Sequence, residues 1–294
     1  QSIQWDGRSR VDDLFQTYFG AETSTDGINV SPYIRAVSAG FLISAVARGF
    51  KPGCVVQSVP VLEGPQGIGK STAVRVLGGR WTSDTPIDPA NKDHRIQAAK
   101  FWFIELAEMA NFDRRDAESW KNFITAQTDN VRPPYERTDR EFKRRSIFVG
   151  TTNRKDYLVD PTGNRRYWPV ACPGFIDTDA LARDRDQLFA EAVVRFQAGE
   201  KWHLIDPELQ EMARVVTDAR MVDGAAPILT IQMWWYALPP SSRPQTVTIH
   251  DVALDALKCG VDRLPTRALE LQIGKALIDM GFERCRHDVE GVRV

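Results

Sequence analysis

The sequence predicts an α/β protein built on a largely parallel sheet, followed by a smaller helical module that ends in a β-hairpin. Three observations carry this. Short apolar runs alternate with stretches of helical spacing as far as residue 198. A glycine-rich loop, Gly64 to Ser71, sits between one such run and a helix. The composition then changes at 224–246, where GAAP, a Trp-Trp-Tyr helix and LPPSSRPQ follow one another. The expected organisation is an N-terminal helical segment at 1–50, an α/β body at 51–222 and a C-terminal module at 223–294.

Bulk properties set the bounds. A chain of 294 residues, 43% hydrophobic and 26% charged, has room for about two domains and excludes a disordered or fibrous protein. Its 38 basic and 39 acidic residues leave a net charge of −1, so nucleic-acid binding must come from a local patch. No apolar stretch approaches the roughly 18 residues of a membrane helix, so no membrane partner is expected. Cys54, Cys172, Cys259 and Cys285 form no CxxC pair, and the four histidines are equally scattered. Free thiols are expected, and no metal site made of His and Cys. The start, QSIQWDGRSR, has neither an initiator Met nor a signal-peptide pattern, which suggests a domain cut from a longer polypeptide or a processed chain, and a cytoplasmic location.

Along the chain, Val11, Leu14, Phe15 and Tyr18 have helical spacing closed by Gly20. Residues 31–49 read as a second helix, with Ser31 as cap and Pro32 in the first turn. Strands are expected at 54–62, 101–105, 146–151 and YWPVA (167–171), and helices at 116–127 and roughly 179–198. Beyond 222 the pattern gives helix 228–238, strand 246–249, helices 250–259 and 265–280, and a hairpin at 282–294. Three helices with a terminal hairpin match a winged-helix pattern. Trp234, Trp235 and Tyr236 read as core.

Gly64-Pro65-Gln66-Gly67-Ile68-Gly69-Lys70-Ser71, followed by Thr72, fits G-x-x-x-x-G-K-[ST] in full, with a β-branched strand before it and a helix after it. Glycines let backbone N–H groups turn inward around phosphate oxygens, and the helix start adds its positive end. Lys70 is expected at the β- and γ-phosphates and Ser71 at Mg²⁺. A phosphate loop alone admits kinases, GTPases and ATPases; no NKxD-like guanine reader follows.

Phe101-Trp102-Phe103-Ile104-Glu105 reads as a strand delivering an acid at its C-terminal end, where ligands sit in parallel sheets. Glu108 is three residues on. Glu105 is placed near the metal and Glu108 as candidate base, an assignment that can reverse. Phe148 to Asn153 is a further strand ending in polar groups, with Asn153 positioned to hold the attacking water or touch the γ-phosphate. Arg165 and Arg166 follow, of the type that stabilises transition-state charge, either one serving while the other is structural.

The set WDG, PG at 52–53, LEGPQGIGKST, FIELAE, KNFITAQTDNVRPPYER, FVGTTN and DPTGNRRYWPV, in this order over roughly 5–205, resembles the virulence-associated protein E family. That family is similar to the superfamily 3 helicases within the AAA+ ATPases of phages and mobile elements. The resemblance implies a homo-hexameric ring that uses ATP and Mg²⁺ to move on single-stranded DNA in the cytoplasm of a bacterial host, often beside a primase or primase-polymerase. It places Lys70 and Ser71 in the first nucleotide motif, Glu105 in the second, Asn153 as polar sensor and Arg165 or Arg166 as arginine finger. Many superfamily 3 members carry two adjacent acids in the second motif, whereas Leu106 and Ala107 follow Glu105 here.

Residues 132–145, RPPYERTDREFKRR, hold six basic and three acidic side chains. Superfamily 3 proteins place a DNA-tracking hairpin in this region. Arg132, Arg137, Arg140, Lys143 and Arg144 are candidates to neutralise phosphates and Tyr135 to stack on a base; the competing reading is a solvated loop laced with its own salt bridges. Residues 246–294 carry seven basic and eight acidic residues and no electrostatic footprint of their own. The expected function is an ATP-dependent DNA helicase or translocase, the alternative an ATP-switched initiator or loader that binds DNA without unwinding it.

Overall fold

The computed structural model describes residues 3–25, 27–107, 117–131, 138, 140–155, 157–158, 164–221, 225–244, 246–258, 267–283, 288–289 and 292–293. The chain falls into two compact units, Gln1–Arg220 and Met221–Val294.

The first unit opens with α1 (Leu14–Phe19), closed by Gly20 in the left-handed conformation. A two-stranded ladder of β1 (Ser24–Thr25) and β2 (Ile28–Asn29) leads into α2 (Ser31–Phe50). Ser31 does not cap this helix as expected: it is the first helical residue, and its N–H donates to Asn29 Oδ1 at 3.0 Å. The helix is buried on nearly every face, because it is enclosed between the sheet, α1 and later helices. At Gly40 it passes so close to its neighbours that a Cβ would sit 3.0 Å from the Trp202 carbonyl oxygen. The segment 1–50 therefore shares the core of the α/β body rather than forming one of its own.

Next come β3 (Val59–Glu63), α3 (Lys70–Gly78), β4 (Thr82–Ser83), α4 (Lys92–Ala98) and β5 (Phe103–Leu106). α5 (Ala117–Thr125), β6 (Thr128–Val131), β7 (Arg140–Lys143), β8 (Ile147–Thr152) and β9 (Tyr167–Ala171) follow. The unit closes with α6 (Thr178–Gln197), capped by Asp177, and α7 (Pro207–Asp218), capped by Asp206. β3 begins five residues later than the apolar run from Cys54 suggests. The intervening backbone is used otherwise: Val55 O accepts from the Trp202 indole at 2.8 Å.

The five-stranded sheet has the order β4-β5-β8-β3-β9, and every pairing in it is parallel. A parallel sheet covered by helices buries both faces, which is why β3, β5 and β8 are buried at every position. Aromatic side chains fix α2 on the sheet: Phe15 stacks on Phe41 at 5.8 Å, and Phe41 meets Phe103 edge-on at 5.8 Å. Each fully buried ring contributes about 1.5–3 kcal/mol relative to exposure. Parallel register brings the C-terminal ends of β3, β5 and β8 to one edge of the sheet.

β6 and β7 form a separate antiparallel ladder, from Thr128 opposite Lys143 to Val131 opposite Arg140. Its root is fixed by two buried arginines. Arg144 donates Nε to Asp129 Oδ2 at 2.8 Å, Nη2 to Asp129 Oδ1 and Nη1 to the Phe123 carbonyl, with its guanidinium 4.5 Å from the Phe123 ring centre. Arg48 of α2 donates to the carbonyls of Arg144 and Ala126. Burial lowers the Arg48 pKa to about 10, which still leaves it charged at neutral pH.

In the second unit, α8 (Ala225–Ala237), α9 (Ile249–Asp255) and α10 (Arg267–Asp279) enclose Ile231, Val252, Ala253, Ile273 and Ala276. A two-stranded antiparallel ladder, β10 (Asp288–Val289) with β11 (Val292–Arg293), follows. The strand expected at 246–249 is not formed. Thr248 instead caps α9 in a reciprocal capping box with Asp251, whose carboxyl the Thr248 hydroxyl and N–H hold below its ordinary range. Tyr236, expected in the core, is exposed, and Arg243 lies over the rings of Trp235 and Tyr236.

Candidate functional site

β3 ends at Glu63 and the chain turns directly into the glycine-rich loop. Gly64 has φ 154°, and a Cβ there would lie 2.1 Å from the Cys172 carbonyl oxygen, so no other residue fits. Gly69 enters α3 at φ 100°, again a glycine conformation, and Lys70 and Ser71 are the first two residues of the helix. The Lys70 ammonium donates to the carbonyls of Gly64 and Pro65, at 2.6 and 2.7 Å. Two of its three donors thus fix the side chain over the loop, and the third is left for an incoming acceptor. Burial lowers the Lys70 pKa from its ordinary 10.5, while Cys172 and Glu105 pull the other way.

β5 places Glu105 at the same edge of the sheet, almost fully buried. Its Oε1 accepts from the Ser71 hydroxyl at 2.6 Å and from the Thr151 hydroxyl at 2.8 Å. Thr151, from β8, is a site residue the sequence reading did not single out, although Thr-Thr at the end of an apolar run next to Asn153 was its signal. Gln66, Gly67, Gly69 to Thr72, Glu105, Ala107 and Thr151 to Asn153 line one cavity of about 370 Å³. Asn153 is exposed at its margin. Ile68 points the other way, into the core, and its carbonyl accepts from Ile176 N–H at 2.9 Å. Glu108 lies outside the described residues.

The donor set at the floor of this cavity is hard oxygen: one hydroxyl and one carboxylate, hydrogen-bonded to each other. This fits Mg²⁺ bound together with phosphate oxygens and water. No group of three or more His, Cys, Asp or Glu suited to a metal occurs among the described residues. Cys172, behind the loop, is a buried free thiol whose pKa burial pushes up to about 12.

The arginine pair is not brought to this cavity. Arg165 and Arg166 belong to a 3₁₀ turn that immediately precedes β9. Tyr167, the first residue of β9, is level with Val59, and Gly64, five residues on, follows the far end of β3. At strand rise this is about 16 Å, at the opposite edge of the sheet. There the two arginines line a different cavity of about 570 Å³, together with Gln57, Asn164, His203 and Arg214. Arg165 is exposed and Arg166 partly buried.

The basic segment divides. Arg140 and Lys143 are exposed on the β7 ladder. Arg144, expected among the DNA-facing cations, is 1% exposed, with its guanidinium committed to Asp129 and Phe123, and is not available to a phosphate. Arg132, Tyr135 and Arg137 lie outside the described residues.

A glycine-rich loop between a central parallel strand and a helix, with a buried acid and a threonine from neighbouring strands facing it, is compatible with a phosphate-loop-like α/β fold. The Virulence-associated protein E-like domain matches residues 1–222, and the chain belongs to that family. No curated protein matches. Among solved structures, the apo structure of the NrS-1 C terminal region (305-718) is 14% identical with a TM-score of 0.49, covering 79% of this chain and 58% of that one. An A form apo structure of the NrS-1 C terminal region-CTR is 14% identical with a TM-score of 0.48, covering 73% and 53%. The chain thus spans a little over half the length of these structures.

Proposed function

We propose that this protein is an ATPase that hydrolyses ATP between copies of itself and uses the reaction to move single-stranded DNA in replication of a phage or mobile element. The observation that carries the reading is the convergence of the Ser71 and Thr151 hydroxyls on the Glu105 carboxylate in the mouth of the loop. That arrangement suits a nucleoside triphosphate better than an isolated anion.

In this reading the N–H groups of the loop and Lys70 bind the β- and γ-phosphates. Ser71 and Glu105 would hold Mg²⁺, and when bound the ion would supply positive charge that offsets the negative charge of the phosphates. Thr151 keeps the Glu105 carboxylate aimed at the cavity. Asn153, at the margin, orients the attacking water. Glu105 or Glu108 accepts its proton.

The arginine pair fits the same reading. Its distance from its own loop makes action within one copy unworkable, whereas a ring of head-to-tail contacts presents it to the next copy's cavity. A homo-hexamer is the proposed assembly. Arg140 and Lys143, with the sequence candidates Arg132, Tyr135 and Arg137, would follow the DNA backbone. The three helices and terminal ladder of the second unit suit a winged helix, and a primase is the proposed partner.

The test measures phosphate release with and without single-stranded DNA, alongside displacement of a labelled strand. Stimulated release with displacement supports the proposal. Hydrolysis without displacement moves the protein to the initiator or loader class, and release indifferent to DNA removes the DNA motor altogether.

A further inference from the structure

Glu63, Tyr157 and Arg220 form a closed buried network that no step above uses. Glu63 is 5% exposed, Tyr157 3% and Arg220 9%. Arg220 grips the Glu63 carboxylate with both edges of its guanidinium, Nε at 3.0 Å from Oε1 and Nη2 at 3.0 Å from Oε2. Its remaining Nη1 donates to the Val216 carbonyl at 3.0 Å and, more loosely, to the Thr25 hydroxyl at 3.5 Å. The Tyr157 hydroxyl donates to Glu63 Oε1 at 2.8 Å. The triangle is closed through the backbone, because the Arg220 carbonyl accepts from the N–H groups of Tyr157 and Leu158, at 3.2 and 3.1 Å.

The placement of this network is what matters. Glu63 is covalently joined to Gly64, whose carbonyl takes one of the Lys70 hydrogen bonds. Tyr157 is four residues beyond Asn153. One side chain at the end of the first unit therefore ties down both the strand that launches the phosphate loop and the segment that follows the polar strand end. Burying a carboxylate is costly, and burial pushes the Glu63 pKa up against the pull of Arg220 and Tyr157. An apolar pair would hold β3 in the core without that cost. A bidentate ion pair instead fixes direction as well as depth.

We infer that Arg220, acting through Glu63, is a positioning residue that sets the phosphate loop for a polyphosphate; this rests on the nucleotide reading of the site. The test is binding of AMP-PNP and of AMP to the full chain by calorimetry at 4 °C, on variants whose near-ultraviolet circular dichroism matches that of wild type. Arg220→Gln and Glu63→Gln are each expected to weaken AMP-PNP about tenfold or more while changing AMP, which does not reach the β-phosphate position, less than twofold. The double variant is expected to be no weaker than the worse single one. Tyr157→Phe, which keeps the bidentate pair, is expected to fold and to weaken AMP-PNP about threefold, whereas Arg220→Lys, which keeps the charge and loses the two-point grip, is expected to weaken it nearly as much as Arg220→Gln.

A fall in melting temperature with AMP-PNP affinity within twofold of wild type makes the network merely structural and overturns the inference. Equal loss for AMP and AMP-PNP also overturns it, since the defect is then general. Lys70→Ala is the control on the underlying reading: if it binds AMP-PNP as wild type does, the cavity is no triphosphate site and the inference falls with it.

Discussion

Lys70 is a cation set into a partly buried niche, with carbonyl oxygens on one side and a cavity on the other. Burial lowers its pKa below 10.5, and an adjacent polyphosphate would favour the ammonium again. The sign follows. As pH rises through the lowered pKa, binding must first protonate the lysine, so affinity falls before pH 10.5 is reached. Nucleotide titrations at rising pH are expected to show this decline in wild type and none in Lys70→Ala, which binds weakly throughout. The loop was legible at this scale because its residue types and spacing are dictated locally. Glu63 and Thr151 were not. A carboxylate ending a strand looks like any other until its arginine, 157 positions away, is folded against it.

Among elements, the β6–β7 ladder shows how one basic run holds residues with opposite fates. Lys143 and Arg144 are neighbours, yet one is exposed and the other sealed against Asp129 and two phenylalanine rings. Removing one partner of a buried ion pair costs about 3–5 kcal/mol, whereas an exposed cation away from any network contributes within about 0.5 kcal/mol. Arg144→Gln is therefore expected to lower stability by several kcal/mol in urea denaturation, and Lys143→Gln to leave it unchanged while weakening DNA binding. Comparable losses from both substitutions would contradict the division. No sequence pattern separates these residues, because the separation depends on Phe123 and Phe148 arriving from other elements. The α9 start is the reverse case. Thr248 and Asp251 carry a readable capping signature, but the β-branched run Thr246 to Ile249 suggested a strand, and the local cap prevailed over propensity.

At the scale of the whole molecule, the parallel sheet separates two cavities along its strands: that of the glycine-rich loop, Ser71 and Glu105 at one edge and that of Arg165 with Arg166 at the other. Alternation of strands and helices made the parallel sheet legible from the sequence. The strand order was not, since it depends on which strands pair across 80 or more residues. If cleavage needs both edges, it needs two copies. Lys70→Ala is expected to be inactive alone, as is the one arginine variant, Arg165→Ala or Arg166→Ala, that removes the finger. An equal mixture of the two inactive proteins is expected to recover about a quarter of wild-type phosphate release, because one interface in four joins an intact loop to an intact arginine. No recovery on mixing, with both proteins folded and able to exchange subunits, would place the arginines outside the reaction.

The anchored root of the β6–β7 ladder bears on how such a machine would take a step. Arg48 and Arg144 tie the root of the ladder to the end of α2 and to the helix before it. In the proposed motor, its travel would come from tilting the body that carries it, so stride length would be set by the rotation of one copy against the next multiplied by the reach of the ladder. Spin labels at Lys143 and Lys100 of one copy should then keep a constant separation with and without AMP-PNP, while labels on adjacent copies change theirs.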